Sequence, residues 1–211
     1  MSEVFELRQY TLHPGHRDTL IDLFDREFLE TQEAVGMRVL GQFRDLGDPD
    51  RFVWFRSFPD MVRREEALSS FYGGPVWKAH RAAANATMID SDNVLLLRLA
   101  DPRFGFPAAA SRPAVGASER PSSRFYVTVY SFDAPIDREM IDAVLGVITP
   151  LTLLQTEPAE NTYPALPVRV GENVIVALTM QPINEDDALS KYLKCPPQRL
   201  MLEPTARSLL R

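Results

Sequence analysis

The sequence predicts an α+β protein made of two βαββαβ halves that pair within one chain. Three observations support this fold class: strand and helix patterns alternate over residues 1–100, a stretch rich in Pro, Ala and Ser follows at 101–123, and the same order of patterns returns over 124–211. A length of 211 residues accommodates two small domains. We therefore assign residues 1–100 and 124–211 to two domains and 101–123 to a linker.

The first half begins with a strand and a helix. Polar and apolar residues alternate over residues 4–12, which is typical of a strand. The turn sequence His13-Pro14-Gly15 ends this pattern. Apolar residues then recur at helical spacing from Leu20 to Phe28, until Gly36 interrupts them, and this spacing predicts a helix.

The rest of the first half supplies a hairpin, two helices and a last strand. Residues 37–46 and 51–58 are rich in β-branched and aromatic residues and flank the turn sequence Gly47-Asp48-Pro49-Asp50, so they predict a hairpin. The remaining elements are predicted at residues 60–72, 76–87 and 93–99. The resulting order, β-α-β-β-α-β, is the ferredoxin-like arrangement.

The second half repeats this order less distinctly. Its predicted elements are a strand at 125–132, a helix at 135–148, hairpin strands at 163–170 and 173–181, a helix at 184–193 and a last strand at 205–210. The halves share local sequence, since Glu65-Glu66-Ala67-Leu68 resembles Asp186-Asp187-Ala188-Leu189. An internal repeat of this length indicates duplication. Between the halves, the linker contains four prolines and little that could be buried.

The predicted sheets have a physical consequence for assembly. A four-stranded sheet with helices on one face leaves its other face bare, and that face needs a partner. Two such sheets that pack face to face make a small barrel. Because both sheets come from one chain, we expect a pseudo-dimer. Further association of the chain into a homodimer or higher oligomer is a second possibility.

Composition and charge exclude several classes of partner. The formal net charge is -6 and the pI about 5.2, and no Lys/Arg run occurs, so we do not expect nucleic-acid binding. The single cysteine, Cys195, excludes a disulfide within the chain. The first residues lack the basic and apolar regions of a signal peptide, and no apolar run approaches about 18 residues. We expect a cytoplasmic protein that does not bind membranes.

Three short motifs in the first half are distinctive: Glu6-Leu7-Arg8-Gln9-Tyr10-Thr11-Leu12 followed by Pro14-Gly15, Val53-Trp54-Phe55-Arg56-Ser57, and Gly74-Pro75-Val76-Trp77. Together they resemble the NIPSNAP family. The resemblance implies a dimeric α/β barrel, a superfamily that also contains cofactor-free monooxygenases, isomerases, lyase-type enzymes and haem enzymes. NIPSNAP proteins mostly lack an assigned reaction, and some eukaryotic members are linked to protein interactions at mitochondria. A shared fold does not by itself transfer a function.

Two predicted strands carry candidate ligand-binding residues. Glu6, Arg8 and Tyr10 alternate along one face of the first strand and place an anion, a cation and a phenol where a pocket wall would need them. Trp54 and Arg56 share a face of the third strand, so Arg56 could bind a carboxylate while Trp54 shapes an apolar cavity. The alternative is structural: Glu6 and Arg8 pair across strands, and the aromatic side chains fill the core.

The helix before the last strand of the first half carries a further pair. Trp77 and His80 are three residues apart and so lie on one side of that helix. His80 is the one obvious general base, although a lone histidine is more often structural or exposed. Haem ligation by His80 is disfavoured because no second feature supports it. His13, His16 and Asp18 flank a turn without a third convergent ligand, so no metal is predicted.

These residues lead to two functional hypotheses. The leading one is a small organic ligand in an apolar cavity between sheet and helices, with Arg8, Tyr10, Trp54 and His80 in its lining. Tyr10 and His80 are then the catalytic candidates. Cofactor-independent proton transfer, oxygenation or rearrangement is expected, because the sequence offers no nucleotide, flavin or metal signature. The alternative is a non-catalytic protein-interaction module with a filled core. The mixed-charge run at 63–66 is interpreted as a solvated helix face.

Overall fold

The first half of the chain forms a four-stranded antiparallel sheet. The computed structural model describes residues 2–108, 111–183 and 187–211. The strands are β1 (Val4–Leu12), β2 (Arg38–Asp45), β3 (Arg51–Phe58) and β5 (Val94–Leu99), and a short β4 (Met88–Asp90) pairs with the end of β1. Their order across the sheet is β2-β3-β1-β5. This is the order of a ferredoxin-like sheet, as the alternating patterns predicted.

Four helices cover one face of this sheet. α1 (Arg17–Leu23) continues through a π-helical turn (Phe24–Phe28) into α2 (Leu29–Glu33), and α3 (Met61–Gly73) is followed by α4 (Pro75–Asn85). The side chain of Asp60 accepts a hydrogen bond from the backbone N–H of Arg63 and so caps α3. Pro75 opens α4, where its missing N–H has no helical partner to lose. The π turn was not predicted from the sequence.

The second half repeats the same sheet with one clear helix. Its strands are β6 (Phe125–Ser131), β7 (Thr152–Thr156), β8 (Val174–Thr179) and β9 (Gln198–Pro204), in the order β9-β6-β8-β7, and α5 (Arg138–Val147) packs on one face. The first, second, third and fourth strands of each half therefore occupy equivalent positions. This equivalence confirms the predicted repetition of the ferredoxin-like order.

The two sheets close into one eight-stranded antiparallel barrel. β2 pairs with β9, and β5 pairs with β7, so neither sheet keeps a free edge at these strands. Side chains that point away from the helices fill the interior, among them Phe5, Leu7, Phe43, Val127 and Val176. The α+β fold class with paired halves is confirmed, and the barrel core is shared by both halves.

Three predictions for the second half are wrong in position. The first hairpin strand is β7 at Thr152–Thr156, not 163–170, because Pro164 and Pro167 lack the N–H groups that a strand needs. The last strand is β9, which ends at Pro204, and residues 205–210 follow β2 only through isolated hydrogen bonds. The predicted helix at 184–193 is a 3₁₀ segment (Asp187–Tyr192), and residues 184–186 lie outside the described residues.

The segment predicted as a linker packs against the barrel. The ring of Phe106 lies 5.5 Å from the rings of both Phe5 and Phe55, measured between centroids. Arg112 donates to the Glu33 carboxylate and to the Val39 carbonyl. The expectation that this segment buries little is therefore wrong for these residues. The assignment of two domains at 1–100 and 124–211 stays a prediction.

Neither a metal site nor a membrane-spanning helix is found in the described part of the chain. Within residues 2–108, 111–183 and 187–211, no set of three His, Cys, Asp or Glu side chains is arranged to hold a metal ion. No helix in those same ranges has the length and apolar character needed to cross a membrane.

Candidate functional site

The helix-facing side of the first sheet carries a buried group of charges. Alternation along β1 sends Phe5 and Leu7 into the barrel and turns Glu6, Arg8 and Tyr10 toward the helices. β3 adds Arg56 beside Glu6, since these two residues are register partners. We call Glu6, Arg8, Arg56 and Arg64 the buried arginine cluster; Arg64 comes from α3.

Glu6 is the centre of this cluster. Its Oε2 accepts from Arg8 Nη1 at 2.8 Å and from Arg56 Nε at 2.7 Å, and its Oε1 accepts from Arg64 Nε at 2.7 Å. The side chains of all four residues have 0% exposure. One carboxylate therefore bridges two strands and a helix.

Neutral acceptors bind some of the remaining guanidinium groups. Arg56 Nη1 donates to Gln32 Oε1 at 3.1 Å, and Arg64 Nη1 donates to Asn161 Oδ1 at 2.9 Å. Arg64 Nη2 is buried and has no hydrogen-bond partner among the described residues. The cluster therefore contains three cations, one anion and at least one spare donor.

The surroundings fix the charge state of Glu6. Burial alone would raise its pKa, but the charges of Arg56, Arg8 and Arg64 outweigh burial and hold the pKa well below its usual range. For Arg64 the balance differs: burial lowers its pKa, and the charge of Glu6 opposes that effect. Arginine stays charged in proteins, so the cluster is ionised at neutral pH.

A small aromatic cavity adjoins the cluster, between the sheet and the helices. Its volume is ≈ 30 Å³, enough for about one or two water molecules. Side chains from β1, β3 and all four helices enclose it. The lining residues are Tyr10, Leu20, Phe24, Phe28, Gln32, Trp54, Phe71, Tyr72, Trp77, Ala84 and Met88.

Two lining residues present hydrogen-bond donors that are not used. Trp54 Nε1 is buried without a partner in the described part of the chain. Tyr10 Oη accepts from Arg8 Nε at 3.0 Å, and no described bond uses the proton of the phenol itself. A buried donor without an acceptor costs about 1–3 kcal/mol, so such groups need an explanation. An acceptor oxygen of a ligand in the cavity would satisfy both.

Positive charge lies directly behind these donors. The guanidinium carbon of Arg8 is 5.4 Å from the centre of the Tyr10 ring and 5.6 Å from that of Trp54, and Arg56 is 5.1 Å from Trp54. Burial raises the pKa of Tyr10, and the charge of Arg8 only partly offsets this effect. Tyr10 is therefore a neutral phenol at pH 7, which makes it a donor and not a base.

The π turn lies on the helical wall of the cavity. Phe24 and Phe28, at its two ends, both contribute to the lining. The ring of Phe24 is 4.8 Å from that of Trp54, and Phe28 is 5.6 Å from Trp77. A π turn inserts an extra residue into a helix at some cost and is frequent at functional sites. Here it places two aromatic rings over the sheet.

The outer cover of the cavity is only partly buried. Ala84 is the one buried residue of α4, a helix that the structure describes completely. Tyr72 and Trp77 are half-buried. Tyr163, from the long loop between β7 and β8, stacks on Tyr72 with ring centroids 6.1 Å apart, and Leu166 packs nearby. α4 therefore covers the cavity mostly with side chains that are half-buried and not fully buried.

The structure groups most of the predicted site residues and separates one. Glu6, Arg8 and Arg56 lie in the buried arginine cluster, and Tyr10, Trp54 and Trp77 line the cavity. Arg8 and His80 are not in that lining. His80 is one-third exposed, with Nε2 3.5 Å from Glu27 Oε2. A ligand-binding role for Arg8 and a catalytic role for His80 stay predictions.

Arg64 is the residue that the sequence interpretation missed. It was assigned to a solvated face, yet it is fully buried together with Ala67, Leu68 and Phe71. These residues follow it at spacings of three, four and seven, which is the apolar face of α3. The spacing could have predicted that Arg64 is buried. The charges of its neighbours Arg63 and Glu65 instead suggested an exposed helix face.

The second half has no equivalent cluster in its described residues. The helix-facing positions of β6 are Tyr126, Thr128 and Tyr130, because the alternate residues fill the barrel. On β8, Ile175 and Ala177 belong to an apolar core beneath α5. The first half therefore carries the candidate site, and the second half contributes part of its cover.

The chain resembles one protein family and several solved structures. The NIPSNAP family model matches residues 5–102. No curated protein matches the chain. A provisionally named monooxygenase from Fusobacterium nucleatum subsp. nucleatum ATCC 25586 is 11% identical, with 97% of this chain and 93% of that chain covered and a TM-score of 0.58.

Two other solved structures share the whole-chain fold. A provisionally named monooxygenase from Lactobacillus acidophilus NCFM is 10% identical, with coverage of 99% and 98% and a TM-score of 0.54. An anthrone oxidase-like protein is 12% identical, with coverage of 97% and 92% and a TM-score of 0.53. At such identities the likeness shows the fold, which is the dimeric α/β barrel built within one chain.

Proposed function

Since the NIPSNAP family model matches residues 5–102, we propose that this half of the chain binds a small aromatic molecule between its sheet and α1–α4 and catalyses a cofactor-independent reaction on it. One observation carries the proposal: Trp54 Nε1 and the Tyr10 phenol are donors without acceptors on the wall of an aromatic cavity. The ligand supplies the missing acceptor oxygen.

The same donors favour chemistry in which negative charge develops on that oxygen. Loss of a proton from a carbon beside a carbonyl makes an enolate, and loss of the hydroxyl proton of a phenol makes a phenolate; in either case the proton passes to water before the cover closes. Fixed donors aimed at the developing charge stabilise it, most strongly in a site without water. Arg8 donates to Tyr10 Oη and so makes the Tyr10 proton a better donor. Oxygenation and isomerisation can both begin from such an anion.

We rank oxygenation by molecular oxygen, in which one oxygen atom replaces two substrate hydrogens and the other leaves as water, before isomerisation or elimination. The names of two whole-chain structural neighbours, both provisional monooxygenases, support this order. Tyr10 acts as a hydrogen-bond donor in the proposal, since its raised pKa makes it a poor base. Trp54, Phe24 and Phe28 position the ring of the ligand.

Ligand entry requires the cover to move. A cavity of ≈ 30 Å³ does not hold an aromatic ring, for which about 150 Å³ is a suitable volume. α4 and the loop that carries Tyr163 form the outer cover of the cavity. We expect them to swing outward and then close over the ligand.

Native mass spectrometry tests the proposal. Protein purified from its own host should carry a small molecule of defined mass, and an absorbance scan of the same sample shows whether the molecule is aromatic. Trp54→Phe should lose the molecule, because phenylalanine has no N–H. Tyr130→Phe, a change to phenylalanine beneath α5 in the second half, should retain it. A clean protein mass for the wild type would contradict the proposal and favour a protein-interaction module.

A further inference from the structure

The buried arginine cluster holds more positive charge than its surroundings neutralise. Three guanidinium groups face one carboxylate, which leaves an excess of two positive charges in a region without solvent contact. An uncompensated buried charge is strongly unfavourable. From this excess we infer that the ligand binds as an aromatic oxyanion, whose negative oxygen accepts from Tyr10 and Trp54 in front of Arg8 and Arg56.

The inference rests on the proposed function and specifies the charge of its ligand. The groups around the cluster can be named element by element. β1 supplies Glu6 and Tyr10, α2 supplies Gln32, α3 supplies Tyr72, and the β7–β8 loop supplies Asn161. Among these described groups, Glu6 is the one carboxylate. Amide and phenol groups bind the guanidinium hydrogens but do not cancel their charge.

The geometry places the excess charge at the cavity. Arg8 and Arg56 both lie within 5.6 Å of the centre of the Trp54 ring, and Trp54 lines the cavity. Arg8 also donates to the Tyr10 oxygen. An oxygen that accepts from both free donors therefore sits beside two cations in a site of low dielectric. Such a position favours the ionised form of an acidic ligand.

Two kinds of aromatic ligand share this chemistry. One is an acidic phenol or enol, which loses its proton on binding. The other is an aryl carboxylate, which is already ionised in water. In both, a ring fills the aromatic cavity and one negative oxygen meets the two donors. A phenol probe and a carboxylate probe distinguish these two kinds of ligand.

The first probe is 4-nitrophenol, because its phenolate absorbs at a longer wavelength than the phenol. We expect the bound probe to ionise at a pH about one unit or more below that of the free probe. Arg64→Met removes one charge of the cluster without touching the cavity lining, and it should reduce this shift. Arg63→Met, the neighbouring exposed arginine, should leave the shift unchanged. A bound probe that ionises at the same or a higher pH would overturn the inference.

The second probe pair is benzoate and benzamide, which have nearly the same shape and differ in charge. Benzoate should bind at least roughly tenfold more tightly than benzamide, and Arg64→Met should narrow that ratio. Equal binding of the two would overturn the inference but leave the proposed function standing. If chloride bound as tightly as benzoate, the site would be one for inorganic anions, and this result would overturn the inference as well. If neither 4-nitrophenol nor benzoate binds, the inference is overturned. Native mass spectrometry then tests the proposed function separately.

Discussion

Replacing Glu6 with glutamine tests whether the buried arginine cluster is held by its one carboxylate. Glutamine keeps the shape of the side chain but removes the charge that meets Arg8, Arg56 and Arg64. Its amide NH₂ also places a hydrogen-bond donor against the guanidinium donors of the cluster. Removing one partner of a buried ion pair costs about 3–5 kcal/mol. We expect a loss of about 4 kcal/mol, a large fraction of the roughly 5–15 kcal/mol that stabilises a typical protein.

Urea unfolding followed by circular dichroism measures this loss. With an m-value of about 3 kcal/mol/M, a loss of about 4 kcal/mol lowers the midpoint by about 1.3 M. The matched control is Glu66→Gln, whose ion pair with Arg63 lies on the surface of the same helix that carries Arg64. This control should not shift the midpoint measurably. Equal midpoints for the two variants would refute the idea that Glu6 holds the cluster together.

The pH dependence of stability gives an independent measure of the same interaction. The folded-state pKa of Glu6 lies well below its unfolded value of about 4.3. Its contribution to stability is therefore complete above about pH 4.3 and declines as the pH falls below that value. Glu6→Gln should lack this acid-side decline. A wild-type profile that matches the variant profile between pH 2 and 5 would contradict this assignment.

Three further predictions follow from single contacts. Tyr10→Phe should remove a donor to the ligand and weaken 4-nitrophenol binding several-fold, whereas Tyr130→Phe should not; equal effects would contradict the assignment. Burial raises the pKa of Asp25 to about 6, so its contribution to stability declines as the pH rises from about 4 to 6. Asp25→Asn should therefore raise the urea midpoint more at pH 7 than at pH 4. An equal rise at the two pH values would contradict the raised pKa. Gly74→Ala would bring a Cβ 2.8 Å from the Ser70 carbonyl oxygen, so the thermal midpoint should fall; an unchanged midpoint would show that the α3–α4 junction adjusts freely.

The sequence predicted the first half of the fold well, for a physical reason. Side chains along its strands point alternately into the barrel and toward the helices, and both sides are buried, so the strands are rich in apolar residues. In the second half, β7 is five residues long, and a loop that contains Pro164 and Pro167 separates it from β8. Tyr163 and Leu166 of this loop pack on the first half, whereas Val170 is exposed, and the spacing of these residues resembles that of a strand.

The candidate site was predicted in part. Period-two spacing brought Glu6, Arg8 and Tyr10 to one face, and this expectation is confirmed by their burial against the helices. Arg64 was missed because a buried arginine is rare and its partner lies 58 positions away in sequence. The contribution of Asn161 could not be predicted, since it depends on how the second half folds over the first.

The indole N–H resonance of Trp54 gives the most direct test of ligand binding in the cavity. The chain has two tryptophans, so a ¹H–¹⁵N spectrum shows two indole signals, and Trp77→Phe assigns them. On addition of 4-nitrophenolate or benzoate, the Trp54 signal should move downfield, because Nε1 gains an acceptor that it lacks without ligand. A Trp54 signal that stays in place while either probe binds would show that binding occurs elsewhere and would contradict the account.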